Sequence, residues 1–330
     1  MMAEPIWISE QNVVGLMSLP EAITALESGL ALQARGEAQN MVKTHVAWGH
    51  NNLHAIGAVY PGAGLIGTKT WAHTTGGACP LLVLFDAATG QLQAIIEAFA
   101  LGQMRTGGIS GVATKWLARP EADTLALIGT GKQALAQLAA VAAVRKLREV
   151  RVFSPNAQRR AAFIERAAAQ CAQLDIAFVD ATSIEAAVKD AAIITTVTRA
   201  TEPFLYARSV APGTHINAVG AITSERAELA ADVFARCDIA AADDLQAVQN
   251  LSSEFRGAFG ETGHWDRVRS LSKVIEAAAP RGASTDISIF KAMGMGISDL
   301  ALGIEILRRA RQAGLGTPLP QPQRQAPRLF

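Results

Sequence analysis

The 330-residue chain is half hydrophobic and 18% charged, enough apolar material for two domains and too much for a disordered chain. Thirty basic residues face 29 acidic ones and aromatics make up 5%, so neither bulk charge nor a base-stacking surface argues for nucleic acid or an anionic membrane as partner. No apolar run is long enough to span a bilayer. The segment Met1-Met2-Ala3-Glu4-Pro5 lacks the basic and apolar regions of a signal peptide, and Cys79, Cys171 and Cys237 lie far apart and outside metal-ligand spacing. These features lead us to expect a reduced, cytoplasmic protein with no disulfide framework and no metal.

In chain order, Leu19-Pro20-Glu21 opens a helix to about Gln33, with Ile23, Leu26 and Leu30 at helical spacing. Strand patterns follow at 42–48, 53–59, 65–71 and 81–86, and Ala88-Thr89-Gly90 turns the chain into another at 92–97. They predict a mostly antiparallel or mixed sheet. A helix over 107–117 leads to Ala118-Arg119-Pro120, a natural boundary. Beyond it strands alternate with helices: strands at 124–128, 150–153, 176–179, 192–197, 215–219, 239–242 and 287–290, helices at 133–144, 157–173 and 184–189. Such alternation means a parallel sheet with right-handed crossovers. A last helix, 297–311, is expected to return to the first domain, and the proline-rich tail from Thr317 to be loose. The fold class is α/β: a doubly wound parallel-sheet domain at 120–297, and an α+β domain made of 1–119 together with 298–330.

The sharpest motif is Gly129-Thr130-Gly131-Lys132-Gln133-Ala134, between a buried strand and a helix. This is the dinucleotide fingerprint in its required context: Gly129 for the tight turn, Gly131 for backbone approach to a pyrophosphate, Ala134 for close helix–strand packing. The helix N-terminus adds free N–H groups for phosphate. The second strand ends in Phe153-Ser154-Pro155-Asn156, then Arg159 and Arg160, with no carboxylate to repel a 2′-phosphate. NADP(H) is therefore favoured, with NAD(H) the alternative.

In the first domain three cations stand out: Lys43, Lys69 among apolar and aromatic neighbours, and Arg105 ahead of a small-residue helix. Cations so placed hold substrate carboxylates, Arg105 by a bidentate fork. His73 is a candidate substrate-binding residue and proton donor, and Glu97 and Asp86 are candidate partners for the cations.

Thr195-Thr196-Val197-Thr198-Arg199-Ala200-Thr201-Glu202-Pro203, Pro212 through Ala221, Arg105-Thr106, Ala113 through Pro120, the Gly129 turn, and Phe290 through Asp299 together resemble the ornithine cyclodeaminase/mu-crystallin family. The matches are collinear from about Lys43 to Asp299. The resemblance implies a homodimer whose first domain carries the subunit contact and the substrate site. It also implies a Rossmann domain with a nicotinamide cofactor in the interdomain cleft. By position Arg105, Lys69 and Lys43 match the family's carboxylate-binding cations, with Lys43 where an arginine is usual. Thr106, which adjoins Arg105 in that motif, is an expected cofactor position too. Gly129, Thr130, Gly131, Lys132, Gln133, Ser154, Asn156, Arg159, Val197, Thr198, Val219, Gly220, Ala221 and Met293 are the expected cofactor positions.

The true cyclodeaminases carry an aspartate where this chain has Ile222, and isoleucine can move no proton. Glu225 is near in sequence but expected to point elsewhere. Cyclodeamination is disfavoured. The resemblance then implies NAD(P)H-dependent reduction of the C=N bond of a small carboxylated imine to an amino acid. Candidates are Δ1-pyrroline-2-carboxylate, Δ1-piperideine-2-carboxylate and iminosuccinate, with Lys69 and Arg105 as the catalytic pair. Three alternatives stay open: an alanine dehydrogenase-like enzyme, a cyclodeaminase despite Ile222, and a non-catalytic mu-crystallin-like binding protein. Asp299 is open between a helix cap and a chemical role, and His215 is expected to be buried at a strand start.

Overall fold

The computed structural model describes residues 4–279 and 281–330; residues 1–3, part of the segment read above for a signal peptide, lie outside them. The chain runs through β1 (Ile6–Ile8), α1 (Glu10–Leu16), α2 (Leu19–Ala34), β2 (Gln39–Asn40), β3 (Thr44–Trp48), β4 (Asn51–Tyr60), β5 (Leu65–Thr74), β6 (Gly77–Ala78), β7 (Leu81–Asp86), β8 (Leu92–Glu97) and α3 (Phe99–Leu117). Next come β9 (Thr124–Ile128), α4 (Ala134–Val144), β10 (Glu149–Phe153), α5 (Ala157–Gln170), β11 (Ala177–Asp180), α6 (Ile184–Val188), β12 (Ile193–Thr196) and β13 (His215–Ala218). The remainder is α7 (Ala231–Ala235), β14 (Cys237–Ala242), α8 (Leu245–Leu251), α9 (Ser253–Phe255), β15 (Val268–Ser270), α10 (Leu271–Ala277), β16 (Ile287–Lys291), α11 (Gly296–Ala313) and β17 (Thr317–Pro318). Among the described residues no single helix is long and apolar enough to cross a membrane.

Contacts divide the chain into two units, Met1–Arg105 with Met295–Phe330, and Thr106–Gly294. The breaks thus fall inside α3 and just before α11, where the sequence suggested 119/120 and 297/298. The rest of α3 belongs to the second unit because it packs there. A Cβ on Gly107 would lie 2.6 Å from the Ala136 carbonyl of α4. Gln137 Nε2 donates to the Thr106 carbonyl at 2.9 Å, and Asn217 Nδ2 to Thr114 Oγ1 at 2.9 Å.

In the first unit the sheet order is β17-β1-β8-β7-β5-β4-β2, with β3 on β4 and β6 on β5. All of these pairs are antiparallel except β1–β8. One cross-strand row reads Ile8, Ile96, Leu82, Lys69, Ile56. Every member of that row is buried, under α11, which packs on α2 and on β4, β5 and β7. The opposite face carries Val46, Leu53, Val59, Ile66, Val83 and Phe85, of which the first three are exposed. The α11 N-terminus crosses β4 so closely that a methyl group on Gly296 would overlap the Gly57 backbone. Asn40 Oδ1 accepts from the Ile297 amide at 2.9 Å and Tyr60 Oη donates to the Ile297 carbonyl at 2.9 Å, pinning this turn. The tail after β17 has no regular structure, though Gln321 Nε2 donates to the Leu92 carbonyl.

The second unit is an eight-stranded, wholly parallel sheet in the order β11-β10-β9-β12-β13-β16-β14-β15. Residues of β9, β12, β13 and β16 are buried throughout, as strands covered on both faces must be. The winding reverses between β9 and β12, which makes the carboxyl ends of these strands the natural ligand crevice of such a sheet.

Because the Gly296 crossing fixes α11 over the sheet, Gly296→Ala should destabilise the protein by roughly 1–3 kcal/mol through overpacking. Chemical denaturation should show a lower midpoint; an unmoved midpoint would mean that α11 is free to shift away from β4.

Candidate active site

The three cations singled out from sequence gather in the first unit around a residue the sequence left undecided. Lys69 is buried within its apolar row, and its ammonium hydrogen-bonds Asp299 Oδ1. Asp299 sits in the first turn of α11, fully buried, and caps nothing; the cap position is Met295. Arg105 lies within α3, not ahead of it, because that helix starts at Phe99. Its Nε is 3.4 Å from Asp299 Oδ1, an ion pair without a hydrogen bond, and Asp299 Oδ2 is buried with no partner. One turn earlier on α3, a Cβ on Gly102 would be 3.9 Å from Lys69 Nζ. Strand β5 and helices α3 and α11 therefore meet at one ammonium.

Burial pushes Lys69 down to about 8; Asp299 opposes that shift, while Arg105 and Lys43 add to it. Lys43 immediately precedes β3, and its charge acts on both Lys69 and His54, which share one face of the sheet. The same face continues outward as a stack. His45 lies over His54 with ring centroids 5.6 Å apart, His54 over Trp71 at 4.7 Å and 15°, and Lys69 Nζ is 5.0 Å from the Trp71 ring. Burial, then the charges of Lys43, His45 and His73, hold His54 below the ordinary histidine range, so its ring is neutral at neutral pH. Its Nδ1 is buried and unpartnered.

His73 is exposed, four residues along β5 from Lys69 and roughly 13 Å away at Cα. The structure brings it near His54 and not to the Lys69–Asp299 pair, so the proton held closest to that pair is on Lys69. Glu97 and Asp86 do not pair with the cations. Glu97 accepts from the Trp7 indole and the Glu10 amide, and Asp86 ties its own turn at Ala88 and Thr89.

In the second unit the expected cofactor positions lie in loops that follow strands, apart from Arg159 in the first turn of α5 and Thr106 within α3, whose carbonyl accepts from Gln137 Nε2. Gly129 has φ +114°, and a Cβ there would be 2.6 Å from the Val197 carbonyl, so only glycine fits. A Cβ on Gly131 would meet nothing within 4 Å, which leaves its backbone open to a ligand. Thr130 lies between the two glycines and Lys132 follows them, exposed. Gln133 precedes α4 without capping it, and its Oε1 is buried and unpartnered. The first amides of α4 thus meet no side-chain cap, and the turn fits a pyrophosphate.

After β10 Ser154 is buried, while Asn156 and Arg159 are exposed, Asn156 capping α5 at the Arg159 amide. Arg160 is withdrawn. It pairs with Asp180 and donates to the Ser154 carbonyl at 2.6 Å, so of the two arginines only Arg159 faces solvent.

Sequence reasoning missed a set of buried acids behind these loops. Glu228 accepts from the Thr198 amide and hydroxyl, the Thr196 hydroxyl, and the Gly220 and Ala221 amides, at 2.7–3.3 Å. Glu254 holds the Glu228 and Leu229 amides and pairs with Lys291 at 2.8 Å. Asp243 accepts from the Met293 and Gly294 amides, both at 2.8 Å. The amides of Thr198, Gly220, Ala221 and Met293 are therefore spent inside the protein, and these residues offer a ligand surface and shape. Val197 and Val219 begin the same loops.

Ile222 is half-buried and Glu225 exposed, while Glu228 has both oxygens occupied, so this loop offers no free acid. His215 is buried at the start of β13 and bonded to Ser288 and Asn217, and burial pushes it down to about 3. It is structural. Among the described residues no group of three His, Cys, Asp or Glu side chains is placed to hold a metal.

A sequence model of the Ornithine cyclodeaminase/mu-crystallin family matches residues 4–313. The chain is 27% identical over 317 residues to the iminosuccinate reductase of Paracoccus denitrificans, covering 93% of this chain and 97% of that one. It is 28% identical over 320 residues to the alanine dehydrogenase of Archaeoglobus fulgidus, covering 95% and 98%. The crystal structure of the Paracoccus denitrificans iminosuccinate reductase in complex with NAD+ superposes with a TM-score of 0.87 at 26% identity, covering 96% of this chain and 99% of that one.

The Lys69 environment makes a prediction independent of any reaction. Lys69 is mainly protonated at neutral pH and loses its proton as pH rises through about 8. In Asp299→Asn the opposing charge is gone, while burial, Arg105 and Lys43 remain, so the titration should fall by about 1 pH unit or more. Nitrogen NMR of lysine-labelled protein reads this directly. A Lys69 titrating in the ordinary lysine range, or unmoved in the variant, would contradict the pairing.

Proposed function

Because the chain belongs to the ornithine cyclodeaminase/mu-crystallin family, we propose that it reduces the C=N bond of a small carboxylated imine to an amino acid, using NAD(P)H. At the coarser level it is an NAD(P)-dependent oxidoreductase of this family, of the imine-reductase or amino-acid dehydrogenase kind. The observation that carries the finer proposal is the convergence of Lys69, Arg105 and Asp299, with Lys43 beside them.

Arg105 binds the substrate carboxylate by its guanidinium, with Lys43 adding charge. This clamp orients the imine carbon, and orientation supplies much of the rate. Gly129 to Gln133, Ser154, Asn156 and Arg159 would hold a dinucleotide, which in its reduced form would be the source of hydride for that carbon. The C=N electron pair passes to nitrogen, which takes a proton held at Lys69 Nζ. A lysine near 8 is a suitable donor at neutral pH: mostly protonated, yet far more acidic than in water. Asp299 keeps it charged until that moment. The half-buried Ile222 and the fully engaged Glu228 favour reduction over cyclodeamination, since neither can take up a proton.

NADP(H) is the proposed cofactor, supported by the absence of a carboxylate after β10 and the exposure of Arg159, although the Paracoccus relative was captured with NAD+. We assign substrate binding to the first unit and the dinucleotide to the second. A homodimer through the uncovered sheet face is supported by the exposure of Val46, Leu53 and Val59 there, at 68%, 50% and 38%. Sedimentation should give the mass of two chains. A cytoplasmic setting is part of the same proposal, consistent with three unpaired cysteines.

The testing experiment follows NADPH and NADH oxidation with preformed five- and six-membered cyclic imines, iminosuccinate, and pyruvate with ammonia. At least one imine should be reduced, faster with NADPH. Arg105→Ala should raise KM by roughly 100-fold and leave cofactor affinity nearly intact. Arg159→Ala should weaken NADPH by about ten-fold and NADH little. Turnover of pyruvate and ammonia alone would favour the alanine dehydrogenase-like alternative. No oxidation with any substrate, alongside clear dinucleotide binding, would favour a binding protein.

A further inference from the structure

Behind the loops of the second unit lies a buried negative charge that no basic side chain pairs. Glu228 is fully buried, and its carboxylate accepts from the Thr196 and Thr198 hydroxyls and from the Thr198, Gly220 and Ala221 amides at 2.7–3.3 Å. Both oxygens act only as acceptors, the pattern of a carboxylate, and every donor is an uncharged N–H or O–H group. Among the described residues no basic side chain is bonded to it. The ammonium connected to it through hydrogen bonds is that of Lys291, which is paired with Glu254, and the other Glu254 oxygen takes the Glu228 and Leu229 amides. Two carboxylates and one ammonium, all buried, leave one net negative charge in this connected group.

That charge lies directly beneath a ligand surface. Oε1 holds the loop after β12 through Thr198, and Oε2 holds the loop after β13 through Gly220 and Ala221. A Cβ on Gly220 would be 2.3 Å from Glu228 Oε1 and 2.3 Å from the Thr198 carbonyl oxygen, so the two loops close on the carboxylate with no side chain between. A dinucleotide that sets its pyrophosphate on the glycine turn after β9, and its adenosine ribose at the end of β10, extends its other half over the ends of β12 and β13, across the point where the winding reverses. Glu228 lies behind the peptide layer on which that half rests. The nicotinamide ring is neutral in the reduced dinucleotide and positively charged in the oxidised one. At an effective dielectric of about 20, a unit charge acting across a layer roughly 7 Å thick changes an equilibrium by at least about ten-fold.

We propose that Glu228 biases the bound dinucleotide toward its oxidised form: its carboxylate stabilises the positive ring over the neutral one and so makes the bound reduced form a stronger hydride donor. The proposal rests on the dinucleotide reading of the second unit and on no particular substrate. Glu228 is also a positioning residue, because the same carboxylate holds both loops in place. Lys291 sets the size of the bias, since it neutralises Glu254 and leaves Glu228 unopposed.

The test is an affinity ratio. The full chain, Glu228→Gln and Lys291→Met are each titrated by calorimetry with NADP+ and NADPH, and with NAD+ and NADH, and the Kd of the reduced form is divided by that of the oxidised form. Glu228→Gln removes the negative charge, so the ratio should fall about ten-fold, equivalent to about 30 mV for a two-electron couple. Lys291→Met uncovers the Glu254 charge and touches no bond to the Glu228 carboxylate, so the ratio should rise. Both shifts should be equal in the NADP(H) and NAD(H) pairs, and ADP-ribose, which lacks the ring, should bind all three proteins alike. The opposite signs separate a charge effect from damage to the loops, and Lys291→Met carries the test if Glu228→Gln does not fold. A ratio unmoved in a variant that still binds, with both forms weakened together, would overturn the proposal and leave the dinucleotide reading intact. Shifts of the same sign in the two variants would also overturn it. No binding of any dinucleotide by the unaltered protein would remove that reading and the proposal with it.

Discussion

Between Leu82 on one side and Ile56 on the other, the ammonium of Lys69 is cut off from water, and a charge so placed costs several kcal/mol unless it is paired. Its partner, Asp299, is equally buried and has one oxygen left over. Such a pair adds little net stability, since an apolar pair of similar shape would pack as well without the desolvation cost. What it gains is a lysine that stays charged at neutral pH yet sits near the point of losing its proton. The geometry of the first unit follows from holding these two groups together: the close crossing of Gly296 over Gly57, the pinning of α11 by Asn40 and Tyr60, and the passage of α3 over Lys69.

The second unit solves a related problem with different means. Its ligand loops leave strands whose carboxyl ends would expose unpaired amides, and three buried acids take up those amides. Lys291 offsets part of the negative charge from within β16. The loops are thereby rigid before any ligand arrives, which lowers the ordering cost of binding. The glycine turn is the exception. It keeps its backbone open at Gly131, and the first turn of α4 has no side-chain cap.

The parallel sheet, the glycine turn and the three cations could be found in the sequence because their signals are local: alternation of strand and helix, a fixed glycine spacing, charges in an uncharged stretch. What escaped was set by distant partners. The start of α3 has no capping residue beside it and several glycines within it, and the carboxylate of Glu10 caps it at Phe99 and Ala100. The start of α11 is capped by Asn40. With the start of α3 hidden, Arg105 looked like a loop residue; the start of α11 was read to within one residue, but the role of Asp299 inside its first turn stayed open. A lysine inside an apolar strand did announce that it needs a counter-charge, but nothing along the chain named which acid supplies it. Glu228 and Glu254 escaped for the same reason, since buried acids and surface acids share one alphabet and differ only in what surrounds them.

The paired cations, the buried lysine and the open glycine turn support the proposal of a protein that orients a small anionic imine and hands its nitrogen a proton. The most direct measurement is a crystal structure with a bound 2-amino acid product. The account predicts a carboxylate on the terminal nitrogens of Arg105 and the ligand nitrogen within hydrogen-bond reach of Lys69 Nζ, with Asp299 still on that ammonium. A ligand bound away from Lys69, or a Lys69 side chain turned out of its row and away from Asp299, would contradict it.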